Sequence, residues 1–132
     1  MPAATPHQAS AVVVARDPAL AAALELALQA AGLNAIVHDP AKGLDDLPLD
    51  GAAALIVDHQ LLKPGPTAFV ARLRARPWDG LVILMTDDGV RLRAAFERAL
   101  GIAILEMPFV GAEMIAAIRA AWPADGGEAP ES

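Results

Sequence analysis

Ala52-Ala53-Ala54-Leu55-Ile56-Val57-Asp58 is an uninterrupted apolar run that ends in a carboxylate. The run is too short for a helix worth burying, and turn-forming residues fence it: Asp50-Gly51 before, Lys63-Pro64-Gly65-Pro66 after. This combination predicts a strand covered on both faces, as in the middle of a parallel sheet. A carboxylate on the last residue of such a strand emerges at the C-terminal edge of the sheet, where open α/β folds place their sites. Asp58 is therefore the residue against which the other strand ends are read.

Upstream, Ala11-Val12-Val13-Val14-Ala15 predicts a first strand. Asp17-Pro18 then offers a cap and a first helical residue. Leu20, Leu24, Leu28 and Ala31 keep helical spacing until Gly32. Residues 33–37 read as a second strand closed by Asp39-Pro40, and 41–49 as a weak, short helix interrupted by Gly43 and stopped near Pro48. Downstream of Asp58, residues 67–76 read as a helix with Phe69, Val70 and Leu73 facing inward, ended by Pro77. Leu81-Val82-Ile83-Leu84-Met85-Thr86 is a second buried run ending in a polar residue. Asp87 and Asp88 can cap a helix over 90–100 with Leu92, Ala95, Phe96 and Ala99 on one side. A fifth strand over 102–105 and a last helix over 112–122 complete the pattern. Strand and helix alternate throughout, which predicts an α/β fold: a five-stranded, doubly wound parallel sheet with five helices on its two faces.

The 132-residue chain suits one domain with a real core. Residues 11–122 would form it, with a flexible tail over 1–10 and a Gly/Pro/Glu-rich, disordered tail over 123–132. Hydrophobic content is 55%, much of it alanine, yet no run is long enough to cross a bilayer. The first ten residues lack a basic region followed by an apolar one, so the expected compartment is the cytoplasm, with no membrane association. Cysteine is absent, which excludes disulfides and thiolate metal sites. A formal net charge of -6 argues against nucleic acid as a partner. No Gly-rich phosphate loop, nucleophile–histidine pair or metal-ligand spacing is present, and the chain does not read as an enzyme. His7, His38 and His59 are scattered, and strand alternation points His59 away from Asp58.

The strand ends bring together Ala15, Arg16 and Asp17, then Asp58, then Thr86 and Asp87, then Glu106 and Met107. Together with Val14-Ala15-Arg16-Asp17-Pro18, Leu55-Ile56-Val57-Asp58, Ile83-Leu84-Met85-Thr86 and Met107-Pro108-Phe109, this order resembles the receiver domain of two-component response regulators over roughly residues 11–122. The resemblance implies a flavodoxin-like topology. It implies that Asp58 holds the position of the aspartate that takes a phosphoryl group from a kinase histidine. Thr86 holds that of the switch hydroxyl, and Pro108-Phe109 matches the Pro-Phe pair after the fifth strand.

Other positions depart from the family pattern. The acidic pair that holds magnesium is Ala15 and Arg16, with only the following Asp17 acidic. Magnesium wants carboxylate oxygen, which alanine lacks, and a guanidinium repels it. The phosphoryl-contacting lysine is Met107, the small residue after the hydroxyl is Asp87, and the aromatic switch position is Ile104. Phosphoryl transfer depends on positioned cations. The expectation is an atypical, stand-alone receiver without magnesium or other cofactor, signalling by protein contact.

Arg16 has two readings: pairing with Asp58 or Asp17, so that its charge replaces the metal and the lysine, or lying in solvent. The first helix carries one charge, Glu25, and with Leu20, Ala23, Leu26 and Ala27 offers a docking face for a histidine kinase, a phosphotransfer protein or a second copy of the chain. The alternatives are a live receiver phosphorylated on Asp58, with Asp17 or Glu106 as substitute ligand, and a cyclic-dinucleotide binder. The latter would use Arg72, Arg74 and Arg76, with Trp78 free to stack.

Overall fold

The computed structural model describes residues 9–63, 65–96, 101–107 and 114–116. The aliphatic runs become strands β1 (Ser10–Val14), β2 (Asn34–Val37), β3 (Ala52–Asp58), β4 (Leu81–Thr86) and β5 (Ile102–Glu106). They form one sheet in the order β2-β1-β3-β4-β5, and every neighbouring pair is parallel. Parallel neighbours need crossover connections. These are helices α1 (Pro18–Ala30), α2 (Pro66–Ala75) and α3 (Gly89–Phe96).

Side-chain alternation splits the interior into two layers. Val12, Val14, Leu55, Val57, Val82 and Leu84 face α2 and α3, meeting Phe69, Val70, Leu73, Leu92 and Phe96. Val13, Ile56, Ile83 and Met85 face the other way, onto Ala21, Leu24 and Leu28 of α1 and onto Met114. The three middle strands are buried on both faces, which is why their sequences read as continuous apolar runs. β2, at one edge, is half-exposed and more mixed in composition.

Several expectations are corrected. Of the five expected helices, the described residues hold α1, α2, residues 89–96 of the next and 114–116 of the last. Residues 41–49 do not form a helix. A single 3-10 turn, Pro40–Lys42, is capped by the Asp39 side chain and stops at Gly43, whose φ of 83° no helix can continue. Leu47 and Leu49 beyond it are buried individually. Ala95 is exposed: the buried stripe of α3 is the i, i+4 pair Leu92 and Phe96, with Gly89 a turn before. Ser10, assigned to the tail, belongs to β1, and Ala9 already accepts a hydrogen bond from the Asn34 amide at 2.8 Å. Residues 114–116 of the expected last helix are helical; the rest of it, Pro108-Phe109 and most of both tails lie outside the described residues. No helix among the described residues is long and apolar enough to cross a membrane.

Candidate functional site

The site grows from the adjacency of β1 and β3. Val14 is level with Val57, so Ala15 and Asp58 leave the sheet side by side at its C-terminal edge. Ala15 is buried in the layer under α1 and ends the apolar run. The chain is fixed again two residues later. Asp17 Oδ1 accepts the Ala19 N–H at 2.9 Å, its carbonyl accepts the Ala21 N–H at 3.0 Å, and Pro18 occupies the first turn of α1. Arg16 therefore hangs between two anchored points.

Asp58 points to the α1 side of the sheet, in step with Ile56, and is 2% exposed. A buried carboxylate is costly unless its oxygens are bonded. Here Oδ1 accepts the Gln60 N–H at 3.0 Å and Oδ2 accepts Arg16 Nε–H at 2.9 Å. Of the placements left open for Arg16, this structure has the pairing with Asp58. The Arg16 side chain is half exposed and its partner nearly fully buried. The hydrogen bond to Asp58, then that carboxylate's charge, hold the guanidinium pKa above its ordinary value; partial desolvation opposes this, and Asp87 adds to it. A raised folded-state pKa means that arginine's contribution is complete at neutral and mildly alkaline pH, and fades only as pH climbs through arginine's own range.

Thr86 is fully buried. Its Oγ1 accepts the Asp88 N–H at 2.8 Å and its carbonyl accepts the Met107 N–H at 2.7 Å, so it ties the start of α3 to the end of β5. Asp87 is exposed beside it. Ile104 is half-buried against the α2/α3 layer. Met107 is half-buried and shares with Arg16, Asp17, Leu20 and Asp58 a cleft of about 380 Å³. A second cleft of about 350 Å³ lies between the first turn of α1 and the end of β2, lined by Pro18, Ala21, Val37 and His38. Arg16 borders both.

The receiver resemblance implies a divalent cation at this edge, where few carboxylate oxygens stand open. Ala15 has no ligand atom, Asp17 commits one oxygen to the α1 cap, and both oxygens of Asp58 are engaged, one of them by a guanidinium. Among the described residues no group of three or more His, Cys, Asp or Glu stands close enough to hold a metal ion. Glu106 lies elsewhere, paired with Arg93 Nη1 at 3.0 Å.

Along α1, Leu26 is 68% exposed and Ala23 is open, whereas Leu20 and Ala27 are partly packed against the core. The expected docking set thus grades along one flank of α1 from the partly packed Leu20 and Ala27 to the exposed Ala23 and Leu26. The arginines named for a cyclic dinucleotide are each engaged within the chain. Arg72, Arg74 and Arg76 each donate to backbone carbonyls, of Lys63, of Gly80 and Gly101, and of Leu47 respectively. Trp78 is not free to stack on a ligand: it packs against the core, donates Nε1–H to the Ala52 carbonyl at 2.8 Å, and carries the Arg74 guanidinium 5.8 Å from its ring centroid.

Two contacts escape sequence reading. The Gln60 amide reaches Asp58 because the chain turns into a 3-10 helix, His59–Leu61, directly after β3. His59 is turned toward the Met85 carbonyl, with Nδ1 at 3.2 Å as the donor. One missed feature had a signal. Asp39-Pro40 repeats the Asp17-Pro18 pattern, and both aspartates accept the N–H two residues on at 2.9 Å.

No family model and no curated protein matches this sequence. Solved structures do. A sensor protein from Polaromonas sp. JS666 superposes with a TM-score of 0.71 at 21% identity, over 87% of this chain and 96% of that one. The chemotaxis response regulator CheY4 of Vibrio cholerae gives a TM-score of 0.68 at 15% identity, over 87% and 99%. Full-length FixJ from B. japonicum gives 0.66 at 21% identity, over 92% of this chain but 63% of that longer one. At these identities the likeness is one of fold. The chain has the five-stranded, all-parallel architecture of response-regulator receivers.

Proposed function

We propose that this chain is a degenerate receiver module of two-component signalling that works by protein contact, without magnesium-dependent phosphorylation of Asp58. The observation that carries the reading is the 2.9 Å contact from Arg16 Nε to Asp58 Oδ2, at the strand-end position where a receiver's aspartate reacts. An aspartate about to attack a phosphoryl group needs a free oxygen and an approaching cation. Both oxygens of Asp58 already accept hydrogen bonds, its cation is the tethered guanidinium of Arg16, and Met107 brings no charge to the same cleft. With the pocket closed to chemistry, output rests on surfaces. The exposed flank of α1 around Leu26 is the surface we assign to a histidine kinase, a phosphotransfer protein or a second copy.

Incubation of the chain with a small phosphodonor and magnesium, followed by intact-mass measurement, tests this reading. The expected spectrum shows unmodified protein. A phosphoryl adduct that disappears in Asp58→Asn would overturn it and make the chain a working receiver.

A further inference from the structure

We infer that Arg16 is a built-in counter-cation: its guanidinium stands at Asp58 in place of a bound metal ion, and the chain thereby carries a permanently neutralised pocket that needs no ion from solution. The inference rests on the receiver reading of the pocket and goes beyond it by assigning Arg16 a specific charge-compensating role.

The argument begins with the carboxylate. Asp58 is nearly fully buried, and its backbone partner, the Gln60 amide, satisfies one oxygen without neutralising the charge. Removing the sole cationic partner of a buried carboxylate leaves an uncompensated charge. Among the described residues, the cationic side chain that touches Asp58 is Arg16. The fold delivers it with little loss of freedom. The β1–β3 register sets Ala15 level with Asp58, the Asp17 cap fixes the backbone just beyond, and the guanidinium closes the gap between the ends of the two strands. Arginine suits this job because its pKa keeps it charged at any physiological pH. The remaining carboxylates nearby, Asp17 and Asp87, are exposed and lie on the approach to the same group. Once the guanidinium is removed, the buried Asp58 carboxylate is left uncompensated. The wild-type pocket should therefore ignore divalent ions, and the pocket without Arg16 should be destabilised until the charge on Asp58 is removed as well.

The test is thermal unfolding, with and without millimolar magnesium, of the full chain, of Arg16→Gln and of Arg16→Gln/Asp58→Asn. Arg16→Gln keeps a hydrogen-bond donor but removes the charge. It is expected to unfold at a clearly lower temperature than wild type, because the buried Asp58 carboxylate is left uncompensated. The double variant is expected to recover most of that loss, and magnesium to leave the wild-type transition unmoved. Equal stability of wild type and Arg16→Gln overturns the inference, as does a loss that persists undiminished in the double variant.

Should Arg16→Gln fail to fold, the wild-type chain still decides. Its Arg16 Nε–H NMR signal is expected to exchange slowly, to be lost in Asp58→Asn, and to stay unmoved by millimolar magnesium. A signal that magnesium shifts or broadens overturns the inference. The two experiments fail separately. A phosphoryl adduct on Asp58 formed without any bound cation would sink the functional reading and leave Arg16 as the counter-ion. Cation binding by an unphosphorylated wild-type pocket would sink the role of Arg16 alone.

Discussion

Leu55→Ala is expected to lower the unfolding free energy by about 2–5 kcal/mol, the range for truncating a fully buried leucine. Leu55 has no exposed surface and stands in the central strand, level with Val12 of β1 on one side and Val82 of β4 on the other. It belongs to the layer that includes Phe69, Leu73 and Leu84. Every one of these neighbours sits on a paired strand or a packed helix, so the walls of the new cavity have little freedom to collapse, and the upper half of the range is the better expectation. Urea denaturation measures it as a lower midpoint at unchanged slope. The matched control is Leu26→Ala on the open flank of α1, which should stay within about 0.5 kcal/mol of wild type. A Leu55→Ala cost below about 1 kcal/mol would mean that β3 is not the packed centre of the sheet.

The legibility of this fold comes from the same burial. Strands covered on both faces must be apolar throughout, and turns beside them must carry Gly, Pro or Asp, so β3 and β4 could be read off residue by residue and β1 to within one residue at each end. The helix over 41–49 was misjudged because its apolar residues are buried by a meandering segment. Leu47 and Leu49 lie two apart, not on one helical stripe, and Gly43 already breaks the turn. The site was legible as a set of strand ends, since parallel order alone places Ala15, Asp58 and Thr86 at one edge. Which side chain meets which was not. Arg16 could have turned to solvent at similar energy as far as sequence tells. What decides is the register of Val14 with Val57 and the helix cap at Asp17, both of which are three-dimensional facts. The same holds for Trp78, whose motif suggested a stacking surface but whose indole N–H is claimed by the Ala52 carbonyl.

That indole sets the second large effect, Gly80→Ala, with an expected loss of about 1–3 kcal/mol from overpacking. A methyl group on Gly80 would clash with the Cζ2–Cε2 edge of the Trp78 ring and lie 2.8 Å from the Ala53 carbonyl oxygen. Neither neighbour yields cheaply. The carbonyl is backbone of β3, and the ring is held by its bond to Ala52, by the core beneath it and by Arg74, whose Nη1 also bonds the Gly80 carbonyl at 3.0 Å. Gly89 is the instructive contrast. Its added methyl would meet the Glu106 side chain, which is half exposed and can swing away at the cost of a surface pair with Arg93. Gly89→Ala should therefore cost less than Gly80→Ala by more than about 1 kcal/mol. In a Trp78→Ala background the penalty of Gly80→Ala should shrink, since the two residues share one space and their effects cannot add. A Gly80→Ala penalty that is unchanged in that background would assign the clash to the Ala53 carbonyl alone. Gly80 lies at the opening of β4, the sheet edge opposite Asp58. Gly80→Ala should thus destabilise the chain while leaving the Arg16 Nε–H signal and the indifference to magnesium as they are in wild type. That separation distinguishes a damaged scaffold from an altered pocket.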